Sequence, residues 1–387
     1  MKMQVLTTDQ PGAWMHVLEQ CPRHDFYHLP MYHALAEELG EGKAYLFHHA
    51  EGEYSIALPL LLRSLDGLPG TQPGGADWHD ATSVYGYPGP IASHADIPET
   101  VAQNFQASLQ TCMRDMGVIS VFSRLHPIIP QQALVAGVGE CRTLSRTVSI
   151  DLTLPAEVQR SAFRKNHKEG INKLHRLGVT CVHDSNGLYL DAFVEIYYET
   201  MRRVGATPIY FFPRAYFRKL SDGLGERLHL FVCLHEGKVM CGGLLTECGG
   251  IFQYHLGGTS NAALKFAPMK LLHDVTRMWA NDRKLQFYHL GGGATMRPDD
   301  SLLHFKLGFS GLTHEFKIWR WVVFADVYRR LCAEKSRWNE QNGLVVADAD
   351  FFPDYRAPVA HPVLQPPCLV TGGTMCHEPT LPEGANS

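Results

Sequence analysis

Residues 228–258 read LHLFVCLHEGKVMCGGLLTECGGIFQYHLGG, and this stretch decides the fold. Three apolar runs are separated by two short turns, Glu236-Gly237-Lys238 and Gly249-Gly250. Apolar runs of this length that are bounded by glycine-containing turns predict antiparallel strands joined as hairpins. The sequence therefore predicts a meander of three strands, at 228–234, 239–246 and 251–256.

The segments on either side extend the meander into an α/β unit. A strand at 179–183 and two helices, the first with apolar residues at helical spacing and the second at 213–224, precede it. A helix with Pro268 in its first turn and a strand at 285–290 follow it. The predicted order is one strand, two helices, three strands, one helix and one strand.

The pentapeptide Tyr-His-Leu-Gly-Gly occurs twice, at 254–258 and 288–292, at the end of the third meander strand and of the last strand. Glycine lets the backbone approach a ligand closely and permits positive φ. Two neighbouring strands that both open into glycine loops would leave a cleft lined by main-chain N–H groups. The alternative interpretation is that both copies are ordinary strand-to-turn exits.

The first 150 residues predict a second α/β unit. Short helices are expected around 14–19 and 30–39, a hairpin at 44–63, a helix at 98–116 and a strand at 118–124. Between the hairpin and the last helix lies a segment rich in glycine and proline that contains Tyr85 and Tyr87. Aromatic residues in such a loop are predicted to line a core edge or a substrate pocket.

Composition limits the class of protein. The 387 residues are 45% apolar and carry a formal net charge of −4. This charge excludes a protein that coats nucleic acid through an overall basic surface. No run of 18 apolar residues occurs, so neither a membrane span nor a signal peptide is expected. Ten scattered cysteines without a C-x-x-C pair favour a reducing, cytoplasmic location. The 21 histidines show no metal-ligand spacing, so no metal site is predicted.

The order of elements in the second half resembles the GNAT acyltransferase superfamily, in which an acyl donor lies between two parallel, splaying strands. The segment 257–261, the run QFYHLGGG and the later LLHFKLGF (302–309) closely resemble the Fem family of peptidyltransferases. Fem enzymes are built from two GNAT-like domains and use aminoacyl-tRNA to extend a peptidoglycan precursor. The resemblance is strong over about 179–320 and only general in the first half.

The resemblance implies an α/β (α+β) fold of two GNAT-like domains, each a mixed central sheet flanked by helices. The first domain would cover 1–150 on the acceptor side and be completed by 318–350. The second, with the acyl-transfer cleft, would cover 151–317. The proline-rich segment 351–387 is expected to be an irregular tail.

The family's Phe-Lys pair matches Phe305 and Lys306, which the resemblance places close to the transferred acyl carbonyl. Alternation in LLHFKLGF predicts a strand with Lys306 on one face. A lysine that covers a sheet edge is the alternative interpretation. His289 is a candidate base or proton relay, with His255 at the equivalent position of the first pentapeptide; burial as neutral histidines is the alternative for both.

The remaining predicted contacts are of two kinds. Substrate binding is assigned, partly through the resemblance, to two loops and two strand-end side chains: Tyr254, His255, Gly257, Gly258, Thr259, Ser260, Tyr85 and Tyr87. Contact with tRNA or another phosphate is assigned to cations of the predicted helix 156–178, namely Arg160, Arg164, Lys165 and Lys168. A solvated linking helix is the alternative for that segment.

The sequence thus predicts an aminoacyl- or acyltransferase that forms an amide bond without a covalent enzyme intermediate. The expected donor is aminoacyl-tRNA, with no tightly bound cofactor. The expected acceptor is the amine of a peptidoglycan precursor, a natural-product intermediate or a glycan. An acyl-CoA-dependent GNAT enzyme and a non-catalytic GNAT-like binding module are the alternatives.

Overall fold

The structure is a computed structural model that describes residues 3–72, 77–129, 132–295, 297 and 299–361. The first half contains β1 (Gln4–Thr7), α1 (Pro11–Gln20), α2 (Pro30–Glu38), β2 (Lys43–Glu51), β3 (Tyr54–Ser64), β4 (His79–Thr82), β5 (Ile91–Ala92), α3 (Glu99–Asp115), β6 (Val118–Arg124), α4 (Gln132–Val135) and β7 (Glu140–Asp151). Within the described residues no helix is both long and apolar enough to cross a membrane.

The second half begins with two helices and continues with the predicted meander. Its elements are α5 (Ala156–Ser161), α6 (Lys165–Arg176), β8 (Thr180–Asp184), α7 (Leu190–Arg203), α8 (Arg214–Leu224), β9 (Leu228–His235), β10 (Lys238–Cys248), β11 (Ile251–Thr259), α9 (Met269–Asp282), β12 (Phe287–Gly291) and α10 (Ser301–Lys306). The last described elements are β13 (Thr313–Val322), α11 (Ala325–Gln341), β14 (Val345–Val346) and β15 (Val359–Ala360).

The meander forms because both of its turns are suited to tight hairpins. Glu236 and Gly237 have φ values of 49° and 74°, and Gly249 and Gly250 have 54° and 79°. Two consecutive positive φ angles are the geometry whose twist matches antiparallel strands. The predicted strands β9, β10 and β11 and both hairpins are therefore confirmed.

One mixed sheet runs through the molecule, in the order β1-β2-β3-β4-β6-β13-β7-β12-β11-β10-β9-β8. The order is symmetric about its centre, since each half contributes six of these strands, and one neighbouring pair within each half is parallel. The parallel pairs are β4 with β6 and β11 with β12. The predicted α/β fold class with a mixed sheet and flanking helices is confirmed.

The two halves exchange their last strands. Strand β7 follows β6 in the chain but pairs with β12 of the second half. Strand β13 follows β12 but pairs with β6 of the first half, and β7 and β13 pair with each other at the centre. A shared apolar core also contains Leu18 and Leu35 from the first half and Phe193 and Leu230 from the second. The halves are therefore held together by both hydrogen bonds and packing.

The last described elements pack against the first half. Leu331 of α11 lies in one cluster with Ile119 of β6, and Tyr355 is buried in the same cluster. The Tyr355 and Ser120 hydroxyls are 2.8 Å apart. Residues 318–350 thus lie beside the unit they were predicted to complete, although the division into two domains stays a prediction. Of the predicted tail 351–387, residues 362–387 lie outside the described residues.

Candidate active site

Strands β11 and β12 part next to the first half of the chain. Their parallel pairing runs from Ile251 opposite Phe287 to Gln253 opposite His289, and it ends there. Beyond that point β11 stays paired with β10, and β12 with β7. His289 Nδ1–H donates to Gln253 Oε1 across the last pair. The opening that the two pentapeptides predicted therefore exists at the end of this parallel pair.

Lys306 lies at the end of β12, on the helix α10. Its Nζ donates a 2.6 Å hydrogen bond to the Gly292 carbonyl and lies 5.9 Å from the centroid of the Tyr254 ring. Its side chain is buried, with 6% of the residue exposed. The structure thus places Lys306 beside the second glycine segment, a contact that the sequence did not specify.

The predicted strand at LLHFKLGF is wrong, because residues 301–306 form the helix α10. Asp300 caps this helix, and its carboxylate accepts a hydrogen bond from the Leu303 N–H at 2.8 Å. The Phe305 carbonyl accepts from the Gly308 N–H at 2.9 Å and from His167 Nε2–H at 3.0 Å. Six residues are too few for periodicity to distinguish strand from helix, whereas the cap fixes the helix.

Burial dominates the ionisation of Lys306. Removal from water lowers the pKa of the Lys306 ammonium from 10.5 to about 7, and the negative charge of Asp300 opposes this shift. The amine therefore exists in both its neutral and its charged form near neutral pH. A group in this state can accept a proton, or can donate a hydrogen bond to a developing oxyanion.

A buried polar cluster supports Tyr254 and Lys306 from behind. The rings of Tyr254 and His273 are 4.9 Å apart, and His273 Nδ1 lies 2.7 Å from the Tyr288 hydroxyl. Burial, followed by the charges of Lys306 and His167, lowers the pKa of His273 to about 3. His273 is thus neutral. Sequence reasoning missed it, since it was one polar residue in the apolar stripe of helix α9.

The first glycine pair is not a loop, contrary to prediction. Gly257 and Gly258 lie within β11 and pair with Gly243 and Gly242 of β10. A Cβ atom at Gly257 would lie 1.7 Å from the Tyr254 hydroxyl. A Cβ at Gly258 would lie 2.9 Å from the Ile196 carbonyl of α7. These glycines therefore make room for a tyrosine on one face of the sheet and for a helix on the other.

The backbone amides of the predicted contacts Thr259 and Ser260 are already hydrogen-bonded within the fold. The Thr259 N–H donates to Thr200 Oγ1 at 3.0 Å, and the Ser260 N–H donates to the Met240 carbonyl at 2.9 Å. The next N–H, of Asn261, donates to the Glu199 carboxylate at 3.0 Å. This end of β11 is held by helix α7 and by β10, so its backbone amides already have acceptors.

Tyr87 brings the first half of the chain to the lysine. Its hydroxyl lies 3.7 Å from a Cβ built at Gly291, a position that is also 3.3 Å from the Lys306 Nζ. Its ring lies 5.3 Å from the His289 ring, edge to face. Burial raises the pKa of Tyr87, and a backbone hydrogen bond from Gly292 opposes this effect. Tyr87, His289 and Lys306 are therefore neighbours.

His255 faces a different group of aromatic rings. It is the extra residue of a β-bulge, since Leu244 pairs with Leu256 and Leu245 pairs with Tyr254. Its ring lies 5.9 Å from Tyr85, one of several first-half rings around it. Burial lowers the pKa of His255 to about 3 and that of His289 well below its ordinary value, in the latter case with a further contribution from neighbouring basic side chains. Both histidines are neutral in the fold.

A buried histidine–aspartate pair lies behind Tyr87 and His289. His126 Nε2–H donates to Asp25 Oδ2 at 3.1 Å, and its Nδ1 accepts from the Ile128 and Ile129 N–H groups at 3.2 Å each. The His126 ring is 6.3 Å from the His289 ring. Sequence reasoning missed this pair, because the two residues are far apart in the chain and belong to no motif.

The predicted phosphate contacts divide into two groups. The predicted helix 156–178 is broken at Phe163 and Arg164 into α5 and α6. Arg160 is engaged inside the fold, where it forms an ion pair with Asp274. Arg164 Nη1 lies 2.6 Å from Nε2 of His304, so the start of α6 is next to α10, the helix that carries Lys306. Lys165 is exposed beside Glu169, and Lys168 Nζ donates to the Ser161 carbonyl at 3.0 Å.

Among the described residues, no group of three or more histidine, cysteine, aspartate or glutamate side chains has a geometry that could hold a metal ion. The site consists instead of one lysine of perturbed pKa, a glycine loop and several neutral polar rings. These groups can bind an acyl carbonyl and move one proton.

Comparisons with known proteins agree with this geometry. The family described as acetyltransferase (GNAT) domain matches residues 161–306. The UDP-N-acetylmuramoylpentapeptide-lysine N(6)-alanyltransferase of Weissella viridescens is 25% identical over 186 residues, 47% of this chain and 54% of that protein. The chain thus spans about half the length of this curated relative. The crystal structure of FemX superposes with a TM-score of 0.65 at 13% identity, over 85% of this chain and 99% of that one.

The chain contains a segment similar to the GNAT acetyltransferase domain, and it resembles a Fem-type alanyltransferase in sequence and FemX in fold. Its fold is also similar to that of L-PGS from Bacillus licheniformis, with a TM-score of 0.51 at 13% identity, over 81% of this chain and 92% of that one. The matched family segment ends at Lys306, so it contains the splayed strands and the lysine helix of the Fem-like chain.

Proposed function

We propose that this Fem-like chain is an acyltransferase that forms an amide bond between aminoacyl-tRNA and an amine acceptor. The acceptor would be a peptidoglycan precursor, a natural-product intermediate or a glycan. The observation that carries the proposal is the buried Lys306, with its pKa lowered to about 7, at the point where β11 and β12 part. The scattered cysteines, which form no C-x-x-C pair, support a reducing, cytoplasmic location.

The pKa of the acceptor amine determines whether Lys306 has to act as a base. The name of the Weissella relative specifies the N6 amine of lysine as its acceptor. An ordinary ε-amine is neutral only about 0.04% of the time at pH 7, which corresponds to about 4.6 kcal/mol. If this chain takes a similar acceptor, that free energy has to be supplied, and an amine with a pKa near 7 is suited to accept the proton.

The transfer needs no covalent intermediate. The acceptor nitrogen attacks the acyl ester carbonyl, the tetrahedral oxyanion forms, and the tRNA hydroxyl leaves with a proton. Positioning of the two substrates can contribute about 7 to 11 kcal/mol. Tyr254, Tyr87 and the Gly291–Gly292 backbone lie around the Lys306 amine and would orient the acyl group.

The geometry after β11 supports tRNA over acyl-CoA as the donor. GNAT enzymes that use CoA bind its pyrophosphate with backbone N–H groups at this turn. Here the N–H groups of Thr259 and Asn261 already donate to side chains of α7, and the acceptor of the second is the carboxylate of Glu199. A carboxylate at this position would repel a phosphate. The exposed Lys165 and its neighbours Arg164 and Lys168 are the proposed contacts for the tRNA backbone.

One assay tests the proposal. The full chain is incubated with pools of charged tRNA and, separately, with acyl-CoAs, each with a panel of amine acceptors, and deacylation is measured. We expect acceptor-dependent loss of aminoacyl-tRNA, reduced about 10²- to 10³-fold by Lys306→Met. Lys238→Met, an exposed lysine in the β9–β10 hairpin, is the matched control and should retain full activity. CoA release without any dependence on tRNA would refute the proposed donor, and no transfer from either donor would refute the activity.

A further inference from the structure

Asp300 connects helix α10, which carries Lys306, to the glycine-containing loop that follows β12. Its Oδ1 accepts from the Leu303 N–H at 2.8 Å, which caps α10. Its Oδ2 accepts from both the N–H and the hydroxyl of Thr295, at 2.7 and 2.9 Å. Asp300 is itself buried, with 7% exposed. One carboxylate therefore fixes the first turn of α10 and the loop that precedes it.

Asp300, which caps α10, and Lys306, the last residue of α10, contact consecutive residues of that loop. Lys306 Nζ donates to the carbonyl of Gly292. A Cβ atom at Gly293 would lie 2.5 Å from Asp300 Oδ1, so the carboxylate lies directly against the next backbone unit. The backbone that carries the acceptor carbonyl of Lys306 is therefore packed against Asp300.

Asp300 is also the negative charge that acts on Lys306. Burial raises the pKa of Asp300, but the hydrogen bonds from Leu303 and Thr295 outweigh it, so its pKa lies below the ordinary value. The carboxylate is thus ionised near neutral pH, and its charge favours the ammonium form of Lys306. The other titratable groups that face Lys306 come from β11, α9, β12, the first-half loop and α6: Tyr254, His273, His289, Tyr87 and His167.

Those other groups do not supply a negative charge. Burial raises the pKa of Tyr254 and Tyr87, so both phenols keep their protons. Burial lowers the pKa of the three histidines, so they are uncharged near neutral pH. The charge state of Lys306 is therefore set by a balance between burial and Asp300.

We propose that Asp300 is a positioning residue, which holds the Gly292–Gly293 backbone at the Lys306 amine and keeps a negative charge beside it. Its consequence for transfer rests on the proposed function, since Lys306 carries the proton there. Loss of the carboxylate should release the loop and favour the neutral amine. The arrangement thus links the geometry of the loop to the charge of the lysine.

The test distinguishes the effect of the negative charge of Asp300 from its role as the cap of α10. Asp300→Ser keeps a side chain that caps helices well but removes the charge, and Asp300→Asn keeps the size. Asp299→Asn is the matched control, because Asp299 is exposed, adjacent and paired with Arg297 at 3.0 Å. The full chain is labelled with ¹³C and ¹⁵N in its lysines, and the Lys306 side-chain signal, identified by its absence in Lys306→Met, is titrated by NMR.

We expect Lys306 to titrate at a lower pH in Asp300→Ser and Asp300→Asn than in the native chain, and at the native pH in Asp299→Asn. The acid limb of the pH–rate profile for transfer should move in the same direction. If Asp300→Ser does not fold, Asp300→Asn carries the test alone. An unchanged Lys306 titration in the folded charge-free variant, or an equal change in Asp299→Asn, would overturn the inference.

The outcome is distinguishable from that of the proposed function. A lowered Lys306 titration in a chain that transfers no acyl group would uphold the role of Asp300 and refute the transferase. Active transfer, together with a Lys306 titration that is the same in the Asp300 variants and the native chain, would uphold the transferase and refute the role of Asp300.

Discussion

The replacement Lys306→Met should make the protein more stable at neutral pH, and the gain should disappear as the pH rises. Burial lowers the pKa of Lys306 from 10.5 to about 7, a shift that corresponds to about 5 kcal/mol. Below pH 7 both the folded and the unfolded chain carry the ammonium, so the folded state bears this full penalty. At pH 7 about 4 kcal/mol of it remains.

The pH dependence has a definite sign. Between pH 7 and 10.5 the unfolded chain retains a proton on Lys306 that the folded chain has released, so the stability of the native chain rises with pH. Methionine has no such proton. Loss of the hydrogen bond to the Gly292 carbonyl should cost the variant about 1 to 3 kcal/mol at every pH. The variant should therefore be about 2 kcal/mol more stable at pH 7, with no advantage left at pH 9.

Urea unfolding of both chains at several pH values between 7 and 9 measures this difference. The free-energy gap between variant and native chain should narrow by about 2 kcal/mol over the range. Lys238→Met is the control, because that amine is exposed to water in the folded and unfolded chain alike, and its gap should stay constant. If the difference in free energy of unfolding between Lys306→Met and the native chain stayed constant or widened with pH, the claim that burial destabilises the Lys306 ammonium would be refuted.

Three further predictions concern packing, the buried pair and the cationic segment. Gly258→Ala should lower the free energy of unfolding by about 1 to 3 kcal/mol, because the added methyl group meets helix α7. Gly12→Ala is the control and should cause no such loss, since a Cβ atom at Gly12 has no neighbouring atom within 4 Å. Thermal unfolding of the two variants and the native chain measures the difference. His126→Leu should cost about 3 kcal/mol in urea unfolding, since it strands a buried carboxylate and two backbone N–H groups, and a loss below 1 kcal/mol would contradict this. Lys165→Ala and Lys168→Ala should each reduce the salt dependence of tRNA binding by about 0.7 in the log–log slope, whereas an unchanged slope would argue for a merely solvated helix.

Local sequence was sufficient for most of the secondary structure. The meander, the hairpin of β2 and β3 and the strand β6 were predicted close to their observed bounds, because glycine turns and continuous apolar runs are local signals. The splay of β11 and β12 was implied by the resemblance to the GNAT superfamily. The helix α10 was not, although Asp300 before an apolar run is a recognisable cap signal.

The site was only partly predictable, because its parts come from distant segments. Lys306 and Tyr254 were found from motifs, and the structure brings them together. Asp25, His126 and His273 carry no local signal, and they become significant only when burial removes them from water. Gly257 was predicted as a substrate contact, yet its role depends on the side chain of Tyr254, which packs against it across the bulge.

The sequence alone determined the element order and the α/β class, and a short motif identified Lys306 as a candidate residue, since each depends on residues that are close along the chain. Only the tertiary structure decided that β7 and β13 change places between the halves, and that Tyr87 reaches the loop beside Lys306. It alone also decided the charge of that lysine. Ionisation depends on how much water surrounds an amine and which charges lie near it, and both are set by packing between segments far apart in sequence.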